Sequence, residues 1–187
     1  MGETYELARA NIFTGDGFRV GSIRFSDCVD RLLFEDEDEG NGGGGGHQGD
    51  SDPTLPLLIP GMVELHSHGA LLADFSDGVP DGNAAILSYY ARNGITAALG
   101  TTMTYPKAHI LRAMDALRPH VGQRPGGGAR LLGVNMEGPF LAAGKRGAHL
   151  EDCLLAPSLA FFEEAMETSG DAIRLVSLAP ELEGAEG

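Results

Sequence analysis

The spacing of apolar and polar residues differs between the two ends of the chain. Segments 5–13 and 18–25 alternate partly between apolar and polar positions. The residues between them, Thr14-Gly15-Asp16-Gly17, are typical of a turn. This pattern predicts a small antiparallel sheet, to which residues 31–34 add a further strand.

Beyond residue 56, short apolar runs alternate with segments of helical periodicity. Four runs predict strands, at 57–65, 95–99, 130–136 and 173–178, and the first of them is broken by Pro60-Gly61. Three segments predict helices, at 81–92, 106–117 and 158–168, the last with Ser158 as its N-cap. Strands that alternate with helices indicate a parallel sheet in an α/β fold, either doubly wound or part of a barrel.

A tract rich in Asp, Glu and Gly separates these two patterns. Residues 35–52 contain seven of the 27 acidic residues and nothing apolar larger than glycine. Such a segment has no core to bury and a large backbone entropy to lose, so we expect a disordered linker over 35–53. The predicted organisation is a partial β-sandwich over 1–34, this linker, and an α/β domain over 54–187. His47, inside the tract, is a weak metal-ligand candidate.

Composition narrows the class of partner. The 187 residues include 13 basic and 27 acidic side chains, a net charge of −14, which argues against nucleic acid or an anionic membrane surface. No apolar run approaches the roughly 20 residues of a membrane span, and the N-terminus lacks the apolar core of a signal peptide. Cys28 and Cys153 lie far apart in no paired metal spacing. We therefore expect a cytoplasmic protein with reduced thiols.

Two histidines end the first predicted parallel strand. Residues two apart in a strand point to the same side, so His66 and His68 present two imidazoles on one face, and two neutral imidazoles so placed can bind one divalent cation. The alternative is that one packs in the core while the other faces solvent. Their position favours the first interpretation, because α/β folds assemble their sites at the carboxyl ends of parallel strands.

A carboxylate ends the third of these strands. Glu137 follows an apolar run and precedes Gly138-Pro139, which predicts a turn. Considered alone, Glu137 is typical of a helix cap or a surface acid. Together with His66 and His68 at the equivalent end of a nearby strand, it completes a His/His/carboxylate set suited to zinc or iron.

The loop that follows contains Gly144-Lys145, which fails the spacing of a phosphate-binding P-loop. Glycine-rich loops over the site end of a sheet often contact substrate. His149 is therefore a substrate-contact candidate, with a solvent-exposed loop histidine as the alternative. His109 and His120 are predicted to be solvated surface groups.

Four segments together resemble a known family. Residues 60–69, 136–140, 145–149 and 178–181 resemble, in order, segments of N-acetylglucosamine-6-phosphate deacetylase in the amidohydrolase superfamily. The Glu137-Gly138-Pro139-Phe140 segment, followed by Lys-Arg-Gly-Ala-His, is the most specific part. Departures include Glu64 where the superfamily often has Asp, and residues 69–72 in place of a glycine-rich continuation.

The resemblance implies the first half, about four strands, of a metal-dependent (β/α)₈ barrel, preceded by part of a small β-sandwich. It implies that Glu137, His66 and His68 hold one or two divalent cations, zinc before iron, and that Ala148 and His149 contact a phosphorylated N-acetylated amino sugar. The catalytic Asp, the general base, would come from later strands, so the 187 residues alone are expected to be inactive. It also implies a homodimer for the full-length family.

Two alternatives remain open from the sequence. One is another amidohydrolase that opens cyclic amides; a metal-bridging Lys at the end of strand four is common there, and residues 173–178 offer none. The other is a non-catalytic remnant that binds a metal or a partner.

Overall fold

A computed structural model describes residues 4–26, 29–35 and 51–186. The chain divides into two compact units, residues 1–60 and 61–187. Most of the acidic tract, with His47, and also Cys28 lie outside the described residues. None of the described helices combines the length and apolarity needed to cross a bilayer.

The first unit is a four-stranded sheet. Its strands are β1 (Tyr5–Phe13), β2 (Phe18–Phe25), β3 (Val29–Phe34) and β4 (Leu57–Leu58). They lie in the order β3-β2-β1-β4, with β1–β2 and β2–β3 antiparallel and β4 parallel to β1. The predicted hairpin is confirmed, whereas the described residues of this unit form one sheet rather than the two packed sheets of a sandwich.

Asn11 ties the segment after the acidic tract to β1. Its buried Nδ2 donates to the carbonyls of Asp52 and Leu55 at 2.7 and 3.2 Å, and its Oδ1 accepts from the Asp52 N–H at 2.9 Å. Because all of these amide groups are satisfied, the polar side chain is accommodated beside Ala10 and Ile12 in the small core.

The described residues of the second unit form six strands and three α-helices, besides short 3-10 turns. Its strands are β5 (Met62–Ser67), β6 (Gly69–Ala70), β7 (Ala73–Asp74), β8 (Ile95–Thr102), β9 (Arg130–Glu137) and β10 (Ile173–Ser177). Its helices are α1 (Pro80–Arg92), α2 (Lys107–Leu117) and α3 (Leu159–Ser169). The predicted strands at 95–99, 130–136 and 173–178 and the three predicted helices are present, with shifts of a few residues at the ends. The run at 57–65 is not one strand: it divides into β4, which pairs with β1, and β5, which pairs with β8.

The helices begin and end where local chemistry allows. Proline opens α1, at a position where its missing N–H has no helical partner to lose. Ser158 Oγ accepts from the Phe161 N–H at 3.3 Å, which confirms the predicted N-cap of α3, and Gly170 ends that helix in the left-handed conformation at φ 68°. The apolar faces of all three helices contribute to one core.

Four strands of the second unit form a parallel sheet in the order β5-β8-β9-β10. Each new strand adds to the same edge in chain order. A doubly wound sheet instead reverses direction at a switch point, and these four strands contain no reversal. Parallel pairing places the carboxyl ends of β5 and β9 at the same edge, with β8 between them.

Candidate metal centre

Three side chains from β5, β9 and the residue after β5 converge at the carboxyl edge of the parallel sheet. His66 Nε2 lies 3.2 Å, and His68 Nε2 3.1 Å, from Oε2 of Glu137. The three candidate ligand atoms all lie within 4.8 Å of one another. The two histidines lie on one side of the strand end, as predicted, and neither is packed alone in the core.

These separations match the ligand spacing around one ion. A tetrahedral zinc with bonds of 2.0–2.1 Å holds its ligand atoms about 3.3 Å apart. The distances of 3.2 and 3.1 Å from Nε2 of His66 and of His68 to Glu137 Oε2 are close to that value. The residues present therefore fit a single divalent cation bound by two imidazoles and one carboxylate.

The carboxylate oxygen at the centre of this group is an independent sign of a cation. Glu137 Oε2 is buried and accepts no hydrogen bond from the described residues, although the Nε2 atoms of His66 and His68 lie within ion-pair distance of it. A carboxylate oxygen that is shielded from water and accepts no hydrogen bond is destabilising. A cation between the three side chains would remove this destabilisation.

Ser67 fixes the backbone between the two histidines. Its side chain is hydrogen-bonded to the hydroxyl of Tyr90 on α1, and its N–H donates to Thr101 Oγ1 on β8 at 3.1 Å. The N–H of His66 donates to Glu64 Oε1 at 2.9 Å. Burial is the main cause of a raised pKa at Tyr90. This arrangement anchors the His-Ser-His segment to the neighbouring strand and helix.

Glycine is required at the turn after Glu137. Gly138 has φ +71°, and a Cβ there would lie 2.1 Å from Thr104 Oγ1. Its N–H donates to the Ser177 carbonyl at the end of β10 at 3.1 Å. The glycine thus lets Glu137 sit close to the loop after β8.

His149 lies on the other side of Glu137. Its Nδ1 accepts from the backbone N–H of Thr104 at 3.1 Å and lies 2.8 Å from Thr104 Oγ1. A backbone N–H can only donate, so Nδ1 carries no proton and the neutral ring is protonated at Nε2. That Nε2 lies 3.4 Å from Glu137 Oε1. His149 is therefore a hydrogen-bond donor at the edge of the candidate site.

The structure brings some of the other predicted residues to the site and not others. His149 is 8% exposed, which excludes the alternative of a solvent-exposed loop histidine. Ala148 is exposed beside it. The prediction for His109 is wrong: it is partly buried, its Nε2 lies 2.7 Å from the Ser76 carbonyl, and its ring stacks on Tyr105. His120 lies at the surface, as predicted, and its Nε2 is 3.0 Å from the Pro80 carbonyl.

Sequence reasoning missed two buried polar residues that contact the site. Asn135 lies two residues before Glu137, hence on the same face of β9, and this period-two relation could have revealed it. Thr104 carries no comparable signal, because its contact with His149 spans 45 residues of sequence.

The fold and the site define a class: an α/β protein whose parallel sheet carries a His/His/Glu candidate metal centre at its carboxyl edge. Within that class, comparison of the sequence with known proteins finds similarity to one group of enzymes. The chain is 34% identical over 129 residues to N-acetylgalactosamine-6-phosphate deacetylase of Escherichia coli O157:H7, covering 69% of this chain and 34% of that protein. It is 35% identical over 133 residues to N-acetylglucosamine-6-phosphate deacetylase of Bos taurus, covering 67% and 32%.

Solved structures of the same enzymes share the fold. A substituted N-acetyl-D-glucosamine-6-phosphate deacetylase of Mycobacterium smegmatis, in complex with N-acetyl-D-glucosamine-6-phosphate, superposes with TM-score 0.78 at 24% identity, over 98% of this chain and 45% of that one. The enzyme of Thermotoga maritima gives TM-score 0.72 at 22% identity, over 97% and 44%. A comparison with protein-family models finds no match.

These similarities confirm the resemblance drawn from the motifs. The chain is homologous to the N-acetylglucosamine-6-phosphate deacetylases at about 30–35% identity over roughly 70% of its length. It spans about a third of the length of the curated relatives it matches.

Proposed function

We propose that this chain forms the metal-binding part of an enzyme that hydrolyses the acetamide of N-acetylglucosamine 6-phosphate, releasing acetate and glucosamine 6-phosphate. One observation carries the proposal: His66, His68 and Glu137 converge with ion-binding spacing in a chain homologous to these deacetylases. A relative named N-acetylgalactosamine-6-phosphate deacetylase supports including both sugar phosphates in the candidate substrate class.

The three converging side chains would hold a divalent cation, zinc or iron. When bound, the cation supplies Lewis-acid chemistry at the amide. Glu137 contributes the negative charge, and the imidazoles of His66 and His68 complete the set. The buried Oε2 of Glu137, which accepts no hydrogen bond within the described part of the chain, supports this assignment.

His149 would orient the sugar. Since Thr104 keeps its Nδ1 unprotonated, its Nε2–H faces the site and donates to an oxygen of the bound substrate. The side chain is 7% exposed, and a hydrogen bond made in such a shielded place is stronger than one in water. Ala148, exposed next to it, would provide backbone or methyl contact with the same ligand.

The proton transfers need a further residue. We assign the general base, an Asp in the family that the sequence resembles, to a segment beyond these 187 residues, because the relatives are about three times as long as the matched stretch. The 187-residue chain alone is then expected to show no deacetylase turnover.

A chimera tests the proposed function. The chain would replace the matching stretch of the Escherichia coli O157:H7 relative, and acetate release from N-acetylglucosamine 6-phosphate and N-acetylgalactosamine 6-phosphate would be measured for the chimera and for the isolated 187-residue chain. We expect release by the chimera, none by the isolated chain, and loss in a Glu137→Gln chimera. A folded, metal-loaded chimera that releases no acetate from either sugar would contradict the proposal.

A further inference from the structure

Asn135 bridges the two strands that carry the candidate metal ligands. It is fully buried on β9, and its Nδ2 donates to the Leu65 carbonyl on β5 at 3.2 Å. The same Nδ2 lies 3.4 Å from Nδ1 of His66. Because a carbonyl oxygen can only accept, the Leu65 contact requires the NH₂ group of the amide, and not Oδ1, to point toward β5.

This orientation favours one tautomer of His66. An amide NH₂ only donates, so in the 3.4 Å contact Nδ1 of His66 is the acceptor, and the contact favours the neutral ring protonated at Nε2. Nε2 is the atom that faces Glu137 and that must be free of a proton to bind a cation. In well-built metal sites the second ring nitrogen of a histidine ligand instead donates to an acceptor.

The acceptor that a bound His66 needs is present but turned away. Asn135 Oδ1 is buried and has no hydrogen-bond partner among the described residues. Turning the amide over would bring Oδ1 to Nδ1 of His66, but it would also bring Oδ1 against the Leu65 carbonyl and forfeit that hydrogen bond. Either orientation leaves one polar contact unsatisfied.

We propose that Asn135 is a positioning residue that sets the tautomer of His66 and thereby makes His66 the weakest of the three candidate ligands. This inference rests on the proposed metal site. It implies that the amide NH₂ of Asn135, which faces Nδ1 of His66, lowers the affinity of the site for a cation. A hydrogen-bond acceptor at the same place would raise that affinity.

A double-mutant cycle on zinc affinity tests the inference with Zn²⁺ alone as the probe. Asn135→Asp replaces the amide by a group of similar shape that accepts at both oxygens. Dissociation constants would be measured by competition with a chelator for the wild-type chain, Asn135→Asp, His66→Ala and the double variant. We expect Asn135→Asp to tighten zinc binding about 10- to 100-fold, the range typical of outer-shell partners.

The His66→Ala background separates the tautomer effect from added charge. If the aspartate acts through His66, then Asn135→Asp changes the zinc dissociation constant by less than about threefold in the His66→Ala background. Equal tightening in both backgrounds, or no tightening with His66 present, would overturn the inference while leaving the metal site intact. Absence of zinc binding by the wild-type chain would overturn both the inference and the proposed function.

A second measurement covers the case in which Asn135→Asp does not fold. Nitrogen-15 NMR of the metal-free wild-type chain reports which ring nitrogen of His66 is protonated. We expect the Nε2–H tautomer before zinc is added and the Nδ1–H tautomer afterwards. An Nδ1–H tautomer in the metal-free chain would contradict the role assigned to Asn135.

Discussion

Three imidazoles, those of His66, His68 and His149, contact Glu137 through Nε2. They differ in the hydrogen-bond partner of the other ring nitrogen, Nδ1. His149 is fixed as a donor by the Thr104 backbone, and His66 is opposed by an amide donor. Nδ1 of His68 is buried and has no partner among the described residues. When His68 binds a cation through Nε2, its Nδ1 must carry the proton, and no neighbouring donor among these residues disfavours that state. We therefore expect His68 and Glu137 to contribute most to cation binding.

A substitution at Tyr90 tests the hydrogen bond to Ser67, the residue between His66 and His68. Burial raises the pKa of Tyr90, so the folded chain holds the phenolic proton more tightly than the unfolded chain does. The stability linked to this group is full below the unfolded pKa, near 10, and is lost as pH rises toward the folded value. Tyr90→Phe should lower stability by about 1 kcal/mol at pH 8 and flatten the alkaline decline.

Thermal unfolding between pH 8 and pH 11 measures both effects. Tyr89→Phe is the matched control, since Tyr89 lies next to Tyr90 on α1 but is 40% exposed. An alkaline decline as steep in Tyr90→Phe as in wild type would refute the role of this buried hydroxyl.

At the scale of elements, the turn from β9 into the following loop has the strictest local requirement. Gly138 combines a left-handed φ with contact against Thr104 Oγ1, so a side chain meets both backbone strain and overlap. Gly138→Ala should destabilise the chain by about 1–3 kcal/mol and disturb the contact of Thr104 with His149.

Urea unfolding of the two alanine variants Gly138→Ala and Gly144→Ala checks this prediction. A Cβ at Gly144 meets no atom within 4 Å, so Gly144→Ala should change the free energy of unfolding by less than about 0.5 kcal/mol. Equal stabilities for the two variants would show that the close approach at Gly138 carries no energetic weight.

The elements of the second unit could be predicted because their signals are local. Ser158 before a helical period, Gly170 after it, and the apolar run ending at Glu137 all act within a few residues. The bridges that complete the site are not local: Asn135 contacts His66 across 69 residues, and Thr104 contacts His149 across 45. Such contacts depend on strand order and register, which periodicity does not encode.

At the scale of the whole molecule, β5 is an exposed edge strand with apolar side chains. Among the described strands it pairs only with β8, and Met62, Val63 and Leu65 are each more than half exposed. An apolar edge offers unpaired backbone groups for association with another chain. We expect the 187-residue chain to associate as its concentration rises.

Light scattering after size exclusion measures that association. Val63→Lys places a charge on the edge strand and should shift the chain toward the monomer. Leu72→Lys, at a fully exposed position outside the parallel sheet, should leave association unchanged. A wild-type chain that stays monomeric at about 100 μM would contradict the edge-strand account.

The content of zinc per chain tests the central claim most directly. Equilibrium dialysis of the 187-residue chain against Zn²⁺, followed by metal analysis, should find one ion per chain at the His66/His68/Glu137 group. Glu137→Gln should weaken binding more than about 100-fold, beyond the effect of outer-shell changes, whereas the exposed Glu163→Gln should not. A wild-type chain without zinc, or a Glu137→Gln chain that retains it, would contradict the assignment of this group as a metal centre.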